Sequence, residues 1–137
     1  EEEYDLNMAM EKLVEAYPND YRLQMILGAF YMYRQQAEKS LPFLRAAAEK
    51  GELPGAFNML GYAYMSQGDM DMAQSHFEAY MKAAPDHYNP HDSMGDFYMA
   101  SKKYKEAAEQ FDMAAELNPD IPLHAEKAKK AREMMNP

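Results

Sequence analysis

Residues 54–87 read PGAFNMLGYAYMSQGDMDMAQSHFEAYMKAAPDH, and residues 88–121 read YNPHDSMGDFYMASKKYKEAAEQFDMAAELNPDI. The second stretch repeats the first at an offset of 34 positions. The repeated columns pair Gly61 with Gly95, Tyr64 with Tyr98, Ala73 with Ala107, Phe77 with Phe111, and Pro85 with Pro119. A third, weaker copy lies upstream at an offset of 33, where Gly28, Tyr31 and Met32 precede Gly61, Tyr64 and Met65. Self-similarity at a fixed period of this size indicates an array of one recurring supersecondary unit.

Each copy has the pattern of two helices. Leu60, Gly61 and Tyr64 share one helical face, while Ala73 and Phe77 are spaced i, i+4 on a second helix. A glycine inside a helix costs about 0.5–1 kcal/mol relative to alanine, so its recurrence needs a structural reason. We interpret the glycine column as the place where the first helix of each hairpin approaches the second most closely.

The helix ends follow from turn residues. Gly68 and Asp69 are typical of a helix stop followed by an N-cap, and Gly51 is typical of the end of the helix before it. Pro85 and Pro119 close the second helices, because the residue before a proline resists the α conformation. Pro42 fits the first turn of a helix that starts near Glu38. Asn89-Pro90 indicate a helix break between His87 and His91.

The repeats and their flanks predict one domain over residues 1–137. Its parts are an N-terminal helix within 1–20 (helical over 3–16), repeats at 21–53, 54–87 and 88–121, and a C-terminal capping helix within 122–137. Stacked repeats bury their faces only against neighbours, which is why a polar end helix is expected. The chain opens on Glu1 without an initiator Met, as expected of a processed chain or of a segment of a longer protein.

These columns resemble the tetratricopeptide repeat, a helix-turn-helix unit of 34 residues. The resemblance rests on Phe57, Leu60, Gly61, Tyr64, Gly68, Ala73, Phe77 and Pro85, and then on His91, Met94, Gly95, Tyr98, Ala107, Phe111, Ala114 and Pro119. It implies an all-α, right-handed α-solenoid of antiparallel helix pairs with about eight helices. It also implies a non-enzymatic module that binds a peptide or helix of a partner protein in a concave groove lined by the first helices.

The resemblance assigns candidate residues to that groove. They are Arg22, Met25, Met32, Tyr33, Asn58, Tyr62, Met65, Asp92, Asp96 and Met99, with Ala29, Ser66 and Asn89 at neighbouring groove columns. The recurring column Met32, Met65 and Met99 has two interpretations: packing filler, or an adaptable apolar stripe along the groove floor. Tyr31, Tyr64 and Tyr98 occupy a core column of the family and are expected to be structural.

The polar groove residues constrain the partner. Some family members grip a C-terminal carboxylate with Lys, Arg and Asn, but the corresponding columns here hold Met25, Ala29, Asn58, Tyr62, Asp92 and Asp96. Because two aspartates would repel a carboxylate, we expect instead an apolar segment that carries Lys or Arg. The alternative is that Asp92 and Asp96 only solvate a helix face.

Composition argues against other functions. The chain has no Cys, so it has no thiolate nucleophile, disulfide or Cys-ligated metal. Its net charge of -9 disfavours nucleic-acid binding, despite Lys102, Lys103 and Lys105 and the basic end helix. Its four His form no metal-ligand or catalytic pattern, so we expect no metal, no cofactor and no enzymatic activity. No apolar run is long enough to span a membrane.

A second function fits the same sequence. The domain could serve assembly, through self-association or subunit docking at its end helices, with the N-terminal helix as the contact. The chain is then a monomer or a weak homo-oligomer. The style of the repeats favours a soluble bacterial protein, and the sequence does not separate cytoplasm from periplasm.

Overall fold

The computed structural model describes residues 5–136, and this part of the chain contains eight helices and no strand. The helices are α1 (Leu6–Ala16), α2 (Tyr21–Tyr33), α3 (Ala37–Ala48), α4 (Pro54–Ser66), α5 (Met70–Ala83), α6 (Tyr88–Ala100), α7 (Tyr104–Leu117) and α8 (Pro122–Met135). They form a right-handed α-solenoid of antiparallel helix pairs, as predicted. The predicted N-terminal helix begins at Leu6, and the earliest residues of its expected range, 3 and 4, lie outside the described residues.

Contacts run along the array from each helix to its neighbours. The hairpins are α2–α3, α4–α5 and α6–α7, and α7 packs equally closely on α8. The first helices also touch side by side, α2 with α4 and α4 with α6. Most of the candidate groove residues lie on this row of first helices.

The glycine column lies at the tightest helix contacts. A Cβ built on Gly61 would lie 2.5 Å from Cε1 of the fully buried Phe77, and one on Gly28 would lie 2.5 Å from Cδ2 of Leu44. Gly95 faces the ring of Phe111 in the same way. Real Cβ atoms do not approach heavy atoms this closely, so the predicted close approach is confirmed.

The turns inside the hairpins use a left-handed residue. Gly68 has φ +79°, and the Asp69 carboxylate accepts a hydrogen bond from the Met72 N–H at 3.2 Å. Gln35 and Lys102 occupy the matching position in the other hairpins, each with φ +58°. Non-glycine residues are uncommon in this region, and the sequence gives no sign of them here.

Two predictions about prolines were wrong. Pro42 is the sixth residue of α3, beyond the first turn, because this helix begins at Ala37. Asn89 and Pro90 do not break a helix: α6 begins at Tyr88, and Pro90 occupies its first turn, where a missing N–H costs no hydrogen bond. His87 is the N-cap, and its Nδ1 accepts a hydrogen bond from the Asn89 N–H at 3.2 Å.

The buried core residues lie at the positions that recur in each sequence repeat. Phe77 and Phe111 are fully buried, and Tyr31 and Tyr64 are 3% and 5% exposed, as expected of core residues. Tyr98 is only half-buried, although its side chain packs on the core. Among the helices of residues 5–136, none has the length and apolarity needed to cross a membrane.

Candidate protein-binding groove

Methionines line the concave wall from one hairpin to the next. Met25, Met32 and Met65 are half-buried and pack on the central core cluster, while Met99 packs on the C-terminal cluster. Each one therefore fills a gap in the core and still exposes part of its thioether side chain. The two interpretations of the methionine column are both compatible with this geometry.

Arg22 and Tyr33 lie at the ends of α2 and are more exposed than the methionines. Tyr33 is 88% exposed, and the Arg22 guanidinium pairs with Asp20 at 3.3 Å. That pairing with the N-cap residue of its own helix directs Arg22 toward the helix start. Neither side chain belongs to the half-buried floor.

The centre of the wall is polar at Asn58 and Tyr62. The Tyr62 hydroxyl donates a hydrogen bond to Oδ2 of Asp96 at 2.7 Å, and its ring packs edge-on against Phe77 at 5.0 Å between centroids. Burial and the Asp96 charge raise the pKa of Tyr62 above its ordinary value. Asn58 is half-buried, and its Oδ1 accepts no hydrogen bond from any residue in 5–136.

A lysine from the last helix pairs with both aspartates at the acidic end of the groove. Lys127 Nζ donates to Oδ1 and Oδ2 of Asp92 at 2.8 and 2.9 Å, and it lies 2.7 Å from Oδ1 of Asp96. The His124 Nδ1 lies 2.9 Å from Oδ1 of Asp92. Asp92 and Asp96 therefore connect α6 to α8 through this shared cation.

The Lys127 ammonium contacts an aromatic ring as well as the two carboxylates. Its ammonium lies 4.6 Å from the centroid of the Phe111 ring, within cation–π range. Burial lowers the pKa of Lys127, but the hydrogen bonds to Asp92 and Asp96 outweigh this and leave the pKa above its ordinary value. The ammonium is a fixed part of the groove wall.

The C-terminal helix occupies the place of a fourth first helix, a role that the sequence analysis missed. His124, Ala128 and Ala131 are buried, and each lies 34 positions after a buried residue of α6, namely Pro90, Met94 and Phe97. The same register puts the exposed Leu123, Lys130 and Met134 at groove columns. From this spacing of 34 residues, the sequence could have predicted that α8 adds a further helix to the groove.

A cleft opens at the edge of the groove where the first helices end. Its volume is about 710 Å³, and it is lined by Met32, Gln35, Gln36, Ala37, Glu38, Lys39, Ser66 and Gln67. Met32 is common to the cleft and to the groove floor. The two therefore form one continuous concave surface at the N-terminal half of the domain.

The histidines have structural neighbours. The His91 Nδ1 lies 2.9 Å from Oε1 of Gln110, and His76 stacks on Tyr64 with 5.3 Å between ring centroids. Within the described part of the chain, no group of three His, Asp or Glu side chains is arranged to hold a metal ion.

Alkaline pH should weaken the fold through its buried tyrosines. The hydrogen bond with Glu11, together with burial, raises the pKa of Tyr31 to about 12, and the pKa of Tyr62 is also raised. The unfolded chain loses these protons near pH ~10, so the folded state binds more protons above that pH and the free energy of unfolding falls as pH rises. Below about pH 10 these groups add no pH dependence.

Urea unfolding at a series of pH values from about 9 to about 12 tests this. Tyr62→Phe should make the decline shallower, because one phenol no longer has to ionise, whereas Tyr33→Phe at an exposed site serves as the control. If the free energy of unfolding of Tyr62→Phe fell with pH as steeply as that of the wild type, the raised pKa of Tyr62 would be contradicted.

The sequence model of the tetratricopeptide repeat matches residues 64–130, which include α5, α6, α7 and most of α8. This chain is a tetratricopeptide-repeat protein. As a member of this family it is a protein–protein interaction module, and the family is generally non-enzymatic.

Solved tetratricopeptide-repeat structures share the fold at low sequence identity. The chain is similar to MamA (TM-score 0.81, 17% identity, covering 94% of this chain and 71% of MamA). It is also similar to TTC0263, a thermophilic TPR protein of Thermus thermophilus (TM-score 0.81, 20% identity, covering 91% and 70%). A third is the first TPR of Spaghetti (RPAP3) bound to the HSP90 peptide SRMEEVD (TM-score 0.74, 14% identity, covering 85% and 94%). No curated protein sequence matches the chain.

Proposed function

We propose that the concave groove binds an apolar peptide or helix of a partner protein. The observation that carries this proposal is the row of half-buried methionines, Met25, Met32, Met65 and Met99, along successive first helices. Thioether side chains are flexible and polarizable, so such a row adapts to apolar ligands of varied shape. The affinity expected for a small interface of this kind is on the order of micromolar.

The charges on the groove wall favour an apolar ligand over an acidic one. The HSP90 peptide bound by the first TPR of Spaghetti carries two glutamates and an aspartate. In this chain the acidic pair Asp92 and Asp96 lies in the wall, and the half-buried Lys127 is already paired with both carboxylates. An acidic tail would find Lys127 already paired and would be repelled by Asp92 and Asp96, whose two negative charges exceed the single charge of Lys127.

A basic residue in the ligand would have one acceptor to use. The Asp96 side chain is 32% exposed, compared with 15% for Asp92. A lysine or arginine of the ligand would therefore contact Asp96, in competition with Lys127. We expect the basic residue to tune specificity, while the methionine row supplies most of the affinity.

A pair of matched triple variants tests the proposal. The groove variant replaces Met32, Met65 and Met99 by glutamine, and the control replaces Met8, Met72 and Met113, which are 53%, 39% and 47% exposed. Both change three thioethers to amides of similar size. Peptides selected from a displayed random library on the wild-type domain are synthesised, and their binding is measured by calorimetry on all three proteins.

We expect the selected peptides to be rich in apolar residues and to bind the groove variant at least about tenfold more weakly, a loss of ~1.4 kcal/mol. The control variant should bind as the wild type does. Equal binding to the groove variant and to the wild type would contradict a site at the methionine row.

A further inference from the structure

The Asp96 carboxylate is a partly open acceptor in the interior of the helix array. It lies on α6, which contacts α4 on one side through Tyr62 and α8 on the other through Lys127. The Lys127 Nζ lies 2.7 Å from Oδ1, and the Tyr62 hydroxyl donates to Oδ2 at 2.7 Å. A carboxylate can accept about four hydrogen bonds in all. With one donor at each oxygen among residues 5–136, each oxygen of Asp96 keeps one acceptor position.

Asp92 offers much less to an incoming donor. Its Oδ1 lies 2.8 Å from Lys127 Nζ and 2.9 Å from His124 Nδ1, and its Oδ2 accepts from Lys127 at 2.9 Å. The Asp92 side chain is also less exposed than that of Asp96. A donor that enters the groove therefore reaches Asp96 in preference to Asp92.

The charges of this cluster favour a cationic donor. Asp92 and Asp96 carry two negative charges, and Lys127 supplies one positive charge, so these three side chains leave one negative charge uncompensated. All three are partly withdrawn from solvent, where charges interact more strongly than they do in bulk water. A second cation at Asp96 would balance the cluster.

Arginine fits this position better than lysine does. A lysine ammonium is a compact charge that would lie beside the Lys127 ammonium and repel it. The guanidinium spreads its charge over a plane, and its parallel N–H donors match the two oxygens of a carboxylate. One arginine can therefore fill the remaining acceptor position on both oxygens of Asp96 at once.

The methionines beside this carboxylate suit the rest of an arginine side chain. Met99 follows Asp96 by three residues on α6, and Met65 follows Tyr62 by three residues on α4. Residues at this spacing are neighbours on a helix surface. The aliphatic stem of an arginine packs well on apolar groups while its charged end binds a carboxylate. The arginine would thus lie within an apolar segment of the ligand.

We propose, building on the groove function proposed above, that Asp96 is an arginine-selective subsite and that Tyr62 is its positioning residue. The Tyr62 hydroxyl binds Oδ2 of Asp96 from the neighbouring helix, and the Tyr62 ring packs edge-on against the buried Phe77. This holds the carboxylate in one orientation, which two parallel hydrogen bonds to a guanidinium require. The partner segment is therefore apolar and contains an arginine.

A set of three peptides on matched variants tests the proposal. A peptide selected from a displayed random library on the wild-type domain is synthesised with arginine, lysine or citrulline at its basic position. Citrulline keeps the shape of arginine without its charge. Binding is measured by calorimetry on the wild type, Asp96→Asn, Tyr62→Phe and Asp71→Asn. The last is the control, an equal change of charge at an exposed site on α5.

We expect the wild type to bind the arginine peptide at least about tenfold more tightly than the lysine or citrulline peptide. In Asp96→Asn these differences should disappear, while Asp71→Asn should behave as the wild type. Tyr62→Phe should reduce the preference for arginine over lysine but keep that for arginine over citrulline, because the charge of Asp96 remains. A merely structural role of Tyr62 would weaken all three peptides equally.

Three results would overturn the proposal: library peptides without enrichment of arginine, equal binding of the arginine and lysine peptides to the wild type, and an arginine preference that survives in Asp96→Asn. The first two need no variant, and circular dichroism melts show whether the variants fold. The proposed groove function fails separately, when the triple methionine-to-glutamine groove variant binds the selected peptides as tightly as the wild type does.

Discussion

Replacing Gly61 by alanine should lower the free energy of unfolding by about 1–3 kcal/mol, an unusually large effect for adding one methyl group. The added Cβ would lie 2.5–2.7 Å from three atoms of the Phe77 ring. That ring is fully buried and is enclosed by Tyr62 and Phe97, whose centroids lie 5.0 and 6.1 Å away. Because the ring cannot swing aside, α4 and α5 must separate. Gly61→Val should destabilise the domain further.

Gly55 supplies the matched control on the same helix. A Cβ at Gly55 meets no atom within 4 Å, so Gly55→Ala should be neutral or should stabilise the fold by about 0.4–1 kcal/mol through the unfolded state. The two alanine variants are compared by urea denaturation. If Gly61→Ala were as stable as Gly55→Ala, the assigned contact between α4 and α5 would be wrong.

Replacing Lys127 by methionine should cost about 1–3 kcal/mol, because removing the shared cation of a half-buried cluster leaves its two carboxylates uncompensated. The lysine is 23% exposed and contacts both Asp92 and Asp96, which would be left facing each other without a cation. Methionine has a side chain of similar length without the ammonium, so the change removes the ion pairs with Asp92 and Asp96 and the cation–π contact with Phe111. The loss should appear first as detachment of α8 from α6.

Lys130→Met is the control for this change. Lys130 is exposed on the same helix and forms no ion pair with the described residues, so its replacement should stay within about 0.5 kcal/mol of the wild type. Hydrogen exchange of the α8 amides, followed with urea unfolding, reports both effects. Equal stability of Lys127→Met and Lys130→Met would show that Asp92 and Asp96 do not depend on this cation.

The fold was predictable because its physical causes recur in the sequence at a fixed spacing. A glycine is costly inside a helix, and its return at Gly28, Gly61 and Gly95 left close packing as the explanation. The small residue Ala73 and the large residue Phe77, spaced i, i+4, then indicated which face of the second helix packs against the first. Such signals need no knowledge of distant contacts, since each hairpin packs mainly on itself and its neighbours.

The polar part of the groove was less predictable because it depends on contacts between repeats. The sequence showed Asp92 and Asp96 as unpaired acids, while their partner Lys127 lies on a helix that was interpreted only as a polar cap. Pro90 was interpreted as a helix breaker because the sequence alone did not place the helix start at Tyr88. A proline in the first turn of a helix is tolerated, whereas the same proline one turn further into the helix would break it. The position of the helix start therefore decides which effect a proline has.

The contacts between neighbouring hairpins also determine how the groove can change shape. The first helices α4 and α6 are connected by the hydrogen bond between Tyr62 and Asp96, and α6 and α8 are connected by the contacts of Lys127 with Asp92 and Asp96. Small rotations at each junction add along the array and alter the curvature of the whole wall. We therefore expect a ligand that bridges several hairpins to change the curvature of the wall, in addition to making direct contacts.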